Sequence, residues 1–355
     1  MKAMKGKRFK KIATPVLLLV LLILVMVQLV GEDASSVGQM LLALRGRTIV
    51  TLFLCAAGFM VVEGVISALL VRESVPGFSL WTGVKSGFYV GAVRAPTFGL
   101  GSAAALIVYL RKEHVPVAWG YGVASLAYAC HKVMILGLAL LGLGTCYPLL
   151  REAFGVYLPL LWVGCALTAA IVVGLLLLCL WRPAHRAALW LLGKIAQRGR
   201  FQNIAEEAGE KLSQLRKNAR LCLQNKKKMA LILLLEAAKM GFWYSIPFFT
   251  LQGMGVPCQL IQTMSLIAMV TALAGVIPTP GGVASVEVLF TLFFTPAVGE
   301  VPAMAAMVVY RFLTYYGSCF LAMVVLLIVR LVEKRRSCLC EDLPPEEFLR
   351  TKNEK

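Results

Sequence analysis

The sequence predicts an all-α, polytopic integral membrane protein with about six to eight spanning helices, one or two re-entrant helical hairpins and an inverted repeat. Three observations lead there. Hydrophobic residues form 59% of the 355-residue chain, charged residues only 15%, and mean hydropathy is +0.79; a soluble domain carries about 25% charge. Several apolar runs exceed the ~18 residues that mark a spanning helix, and no period-2 alternation supports a β-barrel. Two of the runs are broken by proline and glycine, at "VRAPTFGLGS" and at "GVIPTPGGVASVEVLF".

The elements follow in order. Residues 1–14 are basic, and the apolar run 15–30 is read as an uncleaved first helix, because "VQLVGEDASS" lacks a small-x-small cleavage site. Further apolar segments fall at 48–71, 78–110, 117–144, 156–181, 229–252, 258–296 and 302–332. They divide into a first membrane half (15–181), a basic linker (182–228), a second half (229–332) and a tail (333–355). The start of the linker, "HRAALWLLGKIAQ", can form an interfacial amphipathic helix with Trp190 at headgroup level, or the linker can be a plain solvated segment.

The net charge of +18 is concentrated in the blocks 2–11, 182–228 and 334–355. Basic blocks flanking apolar spans are the product of the positive-inside rule rather than a nucleic-acid footprint, and they can also attract anionic lipid. N-terminus, linker and tail are therefore all expected in the cytoplasm.

Parity then constrains the topology. An even number of crossings must separate the N-terminus from the linker, yet five apolar segments lie between them. One must enter and leave by the same face. Segment 78–110 is the best candidate, since Pro96, Gly99 and Gly101 are poor continuations of a helix. As a re-entrant hairpin it returns Arg111 and Lys112 to the cytoplasm. In the second half, 258–296 is either two crossings or another hairpin. The hairpin makes the halves mirror each other: Glu63, a break at Pro96 and Lys132 in the first; Glu236, breaks at Pro278 and Pro280, and Arg311 in the second. Paired broken segments in an inverted repeat point to a midplane substrate site.

Charges within spans cost several kcal/mol unless paired or wet. Glu63, Lys132, Glu236 and Lys239 are candidates for charge pairing or coupling. Glu236 and Lys239, three apart on one helix, can neutralise each other, and Lys132 can snorkel towards an interface. Arg94, Glu287 and Arg311 lie near a break or well inside a span, and with Pro96, Pro278, Pro280, Gly281, Gly282 and Tyr315 they form the candidate substrate site. A half-helix beginning at Val283 would turn free N–H groups and its positive dipole end towards the break. The glycine pair would let a ligand approach that backbone, and such an end can hold a phosphate. Pro96 suits the first turn of a second half-helix. Two such ends with Arg94 and Arg311 would receive an anionic lipid headgroup. Glu287 would pair with Arg311, meet a cationic headgroup or carry a proton; alternatively "PTPGG" is a structural turn that Glu287 locks to Arg311.

No G-x-S-x-G, P-loop, H-E-x-x-H or acid-rich metal cluster is present in the sequence. The ten cysteines are scattered, the C-x-C of Cys338 and Cys340 is too little for zinc, and the three histidines are far apart. No catalytic residue, metal or cofactor is expected, with His131 and His185 the weak candidates for a catalytic base.

"GVIPTPGGVASVE" followed by "VVYRFLTYYGS" resembles the lysylphosphatidylglycerol synthase transmembrane, or flippase-like, family, to which the membrane part of the bacterial multiple peptide resistance factor belongs. The carrying pattern is P-x-P-G-G-x-x-x-x-E with a later Y-R-F-x-T-Y-Y, and the resemblance covers roughly residues 10–335. "GFYVGAVRAPTFGLGSAAALIVYLRKEHVP" is similar to the family's N-x-x-T-P-x-x-x-G-G region. It departs at Gly91 or Ala92, where asparagine is usual, at Ala95 before the proline, and where Gly-Leu-Gly replaces the glycine pair. The resemblance implies a multi-pass protein of the bacterial plasma membrane that moves an anionic or aminoacylated phospholipid, or a polyprenyl-phosphate lipid. The full-length factor adds lysine to phosphatidylglycerol with a C-terminal soluble domain. This chain stops at Lys355, so that domain is expected to be absent and the transferase label to exceed what the chain catalyses. The alternatives are an accessory subunit of a lipid-modifying synthase or glycosyltransferase, or a lysyltransferase relative in name only. Partners would be membrane phospholipid, a further copy of the chain or a separate synthase, and no nucleic acid.

Overall fold

The computed structural model describes residues 31–97, 99, 101–155, 158–196, 202, 208–210, 212–213, 216–217, 224–277, 279 and 282–341. The expected first helix at 15–30, part of the linker, and Pro278, Pro280 and Gly281 lie outside the described residues. Among those described, every regular element is helical: α1 (Ala34–Leu42), α2 (Gly46–Val71), α3 (Leu80–Arg94), α4 (Ser102–Lys112), α5 (Val117–Thr145), α6 (Tyr147–Phe154), α7 (Leu158–Leu180), α8 (Arg182–Ala196), α9 (Lys226–Tyr244), α10 (Ile246–Gly253), α11 (Leu260–Ala274), α12 (Ser285–Val298), α13 (Glu300–Phe312) and α14 (Ser318–Glu341), besides short 3₁₀ and π turns. Among the described residues, five stretches are long and apolar enough to span a bilayer: Gly46–Val71, Val117–Thr145, Leu161–Leu178, Lys226–Gly253 and Glu300–Arg335.

Segment 78–110 is two short helices rather than one span. Helix α3 runs antiparallel to α2, with Gly83 against Gly64, then Gly87 and Gly91 against Met60. It stops at Arg94, beside Phe59 and Glu63, well inside the 26-residue α2. Small residues at this seam let the backbones approach, the usual device of helix packing in lipid. Helix α4 then returns along α3: Tyr109 reaches the Tyr89 ring (5.3 Å between centroids), and Lys112 ends near that same ring. Both outer ends of the pair therefore lie on one face.

The break between them satisfies its own backbone, as depth in an apolar slab requires. Thr97 Oγ1 donates to the Val93 carbonyl (2.7 Å) and accepts from Gly101 N–H, while Gly99, at φ +80°, donates to the Arg94 carbonyl. Pro96 occupies this turn, not the first turn of α4, which begins at Ser102.

Segment 258–296 is also split. Helix α11 packs antiparallel on α5, from Ser265 against Gly142 and Thr145 to its end at Gly275 beside Lys132. Helix α12 returns along α13, with Phe290 against Tyr310 and Glu287 against Arg311. It begins at Ser285 rather than the expected Val283 because Gly282 (φ +67°) and Ala284 (φ +70°) hold left-handed backbone just before it. Thr279 and Ser285 join hydroxyls across the turn (2.9 Å).

The ends sort by charge. Lys228 at the start of α9 bonds Glu73 beyond α2, and Lys85 in α3 bonds Glu333 in α14 (3.1 Å). One face thus gathers Arg72, Lys85, Arg111, Lys112, Lys226, Lys227, Lys334 and Arg335, and the first hairpin opens from it. The second hairpin opens from the opposite face, where α5 ends and α11 starts.

This is an inverted repeat. Helices beginning at Gly46, Leu80, Ser102 and Val117 correspond to those beginning at Lys226, Leu260, Ser285 and Glu300. Each hairpin packs on the closing helix of the other half: α3 on α14, where Cys319 Sγ meets the Ala92 carbonyl at 3.2 Å, and α11 on α5. Phe59 and Lys239 stand equally deep in corresponding helices, as do Glu63 and Trp243. The contacts cross over accordingly: Phe59 against Trp243, and Glu63 against Lys239. Outside the repeat, α8 exposes Trp190 and Leu191 on its apolar side.

The α2–α3 seam is directly testable. A side chain at Gly87 would run into the Met60 carbonyl and Gly64 N, whereas Gly137 faces open space. Gly87→Val is expected to cost about 1–3 kcal/mol or more through overpacking and to lower the thermal midpoint in detergent. Gly137→Ala, measured alongside, should leave it unchanged or raised.

Candidate functional site

The first hairpin's break opens into a cavity of about 280 Å³. Arg94 enters it from the last turn of α3, and Ser102 and Ala103 from the first turn of α4. Phe59 and Glu63 of α2, Tyr128 and His131 of α5, Glu236, Lys239 and Trp243 of α9, and Thr271 of α11 complete the wall. The sequence places these groups by simple rules. A basic residue is favoured at a helix C-terminus. The first turn of α4 presents the positive end of its dipole; Ser102 N–H donates to the Gly99 carbonyl at 3.2 Å, and Gly101 before it carries no side chain to cover the turn.

A chain of charges crosses the cavity. Glu236, fully buried, is held by Lys239 of the same helix at 2.8 and 2.9 Å. Lys239 reaches Glu63 at 3.5 Å, Glu63 lies 3.9 Å from Arg94, and His131 Nδ1 stands 3.5 Å from Glu236. The guanidinium of Arg94 lies against the contacting Phe59 and Trp243 rings, 4.8 Å from the Phe59 centroid and 5.4 Å from that of Trp243. Cation–π contact stabilises it by about 0.5–2 kcal/mol without consuming its N–H donors. Its Glu63 contact is longer than a hydrogen bond. Donors at Arg94, the positive dipole end of α4 and carboxylates behind them can together bind an anion, or a headgroup carrying both signs.

The second hairpin is built differently. Arg311 grips Glu287 in a two-pronged pair, both contacts 2.7 Å, and also donates to the Gly282 carbonyl. Glu287 is fully buried and Arg311 nearly so, with the Tyr315 ring 5.3 Å from the guanidinium. Their polar atoms face each other and the turn, so this hairpin is a latched structural corner. Pro96 is exposed in the first turn.

Lys132 stands apart from the Glu63 chain. Its Nζ lies 5.5 Å from the Tyr128 centroid and 3.0 Å from where a Cβ on Gly275 would sit, at the carbonyl end of α11. That negative dipole end suits a cation.

Sequence reasoning weighed His131 only as a catalytic base and did not find Phe59, Ser102, Trp243 or Thr271. Apolar residues in an apolar span carry no signal, with one exception: tryptophan normally gathers at the membrane interfaces, and Trp243 stands level with the mid-span charges. Among the described residues, no group of three His, Cys, Asp or Glu side chains could hold a metal ion.

Residues 12–322, both halves with both hairpins, match the family described as the lysylphosphatidylglycerol synthase TM region. The chain belongs to that family. It is therefore a multi-pass membrane protein of a kind associated with lysylphosphatidylglycerol synthase. No curated protein and no solved structure matches the chain.

The latch is testable through stability. Removing one partner of a buried ion pair costs about 3–5 kcal/mol, whereas replacing both by apolar groups is often neutral. Arg311→Ala or Glu287→Ala is expected to lower the unfolding midpoint sharply. The double variant Glu287→Leu/Arg311→Met should recover much of the loss; a double variant as unstable as the sum of the singles would contradict a simple latch.

Proposed function

We propose that the protein is a flippase-like lipid transporter of the bacterial plasma membrane. Its substrate would be an anionic or aminoacylated phospholipid, or a polyprenyl-phosphate lipid, and the basic face, with both termini, would be cytoplasmic. The observation that carries this reading is Arg94, rich in free donors, beside the positive dipole end of α4 inside a mid-depth cavity. A half-helix end and a guanidinium are the two protein groups best matched to phosphate. A headgroup phosphate would bind there while an ammonium group, where present, would face Glu63. The acyl chains would stay in lipid.

The inverted repeat supplies the movement. Halves that pack hairpin on helix can rock about a fixed central site and open it to each face in turn. The sequence contains no P-loop, so transport would run downhill or with an ion. In this assignment Arg94 contacts the headgroup, and Gly282, Glu287, Arg311 and Tyr315 hold the opposing hairpin in place. A second reading, an accessory subunit beside a synthase, is favoured by the family's association with that enzyme. It leaves the Arg94 guanidinium and two carboxylates at mid-depth without a task.

Reconstituted liposomes with labelled phosphatidylglycerol separate the two. A charged hydrogen bond contributes about 1.5–3 kcal/mol, so Arg94→Ala should slow translocation at least about tenfold, with Arg94→Lys intermediate. Equal rates for wild type and Arg94→Ala would remove the site. Absence of translocation for every lipid tested would favour the accessory role.

A further inference from the structure

We infer that each anionic headgroup enters this cavity together with one proton, and that His131 holds it opposite Glu236. The inference rests on reading the cavity as the headgroup site. It begins with the charges. Two carboxylates, Glu63 and Glu236, face two permanent cations, Arg94 and Lys239, in one connected chain. With His131 neutral the chain is balanced.

The other groups near His131 do not alter that count. Tyr128 on its own helix and Tyr244 on α9 are neutral phenols, and Tyr244 is hydrogen bonded to Thr271 at 2.7 Å. From α4 and α11 the wall offers no charged side chain, only Ser102, Ala103, Leu106 and Thr271. Lys132, the neighbour in sequence, sits at the carbonyl end of α11 beside Gly275 and does not line the cavity.

A phosphate diester arriving at Arg94 adds one negative charge to a balanced, poorly hydrated cluster. An uncompensated charge in such a place costs several kcal/mol. Some group must take up a proton, and histidine is the side chain that does so in the physiological pH range. His131 is poised for it. It lines the cavity, and its ring is partly open to it. Its Nδ1 lies 3.5 Å from a Glu236 oxygen, too far for a hydrogen bond to the neutral ring but a short movement from an ion pair with the charged one. The proton comes from the bulk solution, relayed by water in the cavity, and leaves with the headgroup; no bond of the lipid changes. A monoanionic headgroup and its proton then cross as an electroneutral unit, which makes transport respond to the pH difference across the membrane.

The coupling group is thus placed in the open hairpin's cavity and not at Glu287, whose carboxylate is already engaged by Arg311 on both oxygens.

The test is binding of dihexanoyl phosphatidylglycerol to the purified, detergent-solubilised full chain. Tryptophan fluorescence reports binding, since Trp243 flanks Arg94, and a pH indicator in weak buffer reports protons. Wild type is expected to take up about one proton per lipid bound. The sign follows from linkage: the lipid favours the protonated site, so affinity is full at acid pH and falls as pH rises through the range where the free site loses its proton, approaching about tenfold per pH unit. His131→Gln, with His131→Asn as a second variant should the first misfold, should bind more weakly, with no proton uptake and a flat pH profile. Tight binding by wild type without proton uptake and with pH-independent affinity would overturn the coupling and leave the headgroup site standing. Proton uptake that persists in both His131 variants would overturn the assignment to His131. Binding that is absent in wild type, or unchanged in Arg94→Ala, would overturn the headgroup site and the coupling together.

Discussion

A charge or a broken backbone at the middle of an apolar slab has no water to satisfy it, and the whole structure is arranged around that constraint. Each of the two broken segments exposes peptide groups at depth, and each is closed by nearby side chains: Thr97 in the first, Thr279 and Ser285 in the second. Each is then enclosed by helices of the opposite half, α14 around the first and α5 around the second. Non-helical backbone is tolerated at such depth only where protein or a wet cavity surrounds it, and the exchange of hairpins across the repeat supplies that enclosure.

The halves share a path but not a charge pattern, and the difference gives the molecule its polarity. In the second hairpin, acid and base are matched one to one, within hydrogen-bond reach and out of solvent. In the first, four charged groups form a looser chain at 2.8 to 3.9 Å beside a cavity, with Arg94 resting on aromatic faces rather than on carbonyls. A closely matched pair serves rigidity. An unsaturated cluster, stabilised by contacts that leave donors free, serves binding. The fold thus offers one firm corner and one receptive corner related by the same two-fold exchange.

Much of this was legible in the sequence, for physical reasons that can be named. "PTFGLGS" and "PTPGG" announce breaks because proline and glycine cannot continue a helix, and the parity of crossings identified 78–110 as the segment that turns back. Glu236 and Lys239 at i, i+3 could be paired on sight, and they are paired. What was not legible depends on distance in the chain. Nothing local says that Glu63 meets Lys239, that Arg94 lies against Phe59 and Trp243, or that His131 approaches Glu236; these contacts exist only once α2, α3, α5 and α9 are packed. The start of α12 was misplaced at Val283 because Ala284 at φ +70° is a backbone state no propensity predicts for alanine. Glu287, Arg311 and Arg94 looked alike as intramembrane charges, and only geometry separates the latched pair from the open cation.

The central claim is that the break at Arg94 and the start of α4 receive a lipid phosphate. The most direct measurement is an electron cryomicroscopy map of the protein in nanodiscs of phosphatidylglycerol. The account predicts headgroup density between the Arg94 guanidinium and the backbone of Ser102 and Ala103, with Glu287 and Arg311 still clasped. Density at Gly282 with the Glu287–Arg311 pair opened around it, and none at Arg94, would contradict it.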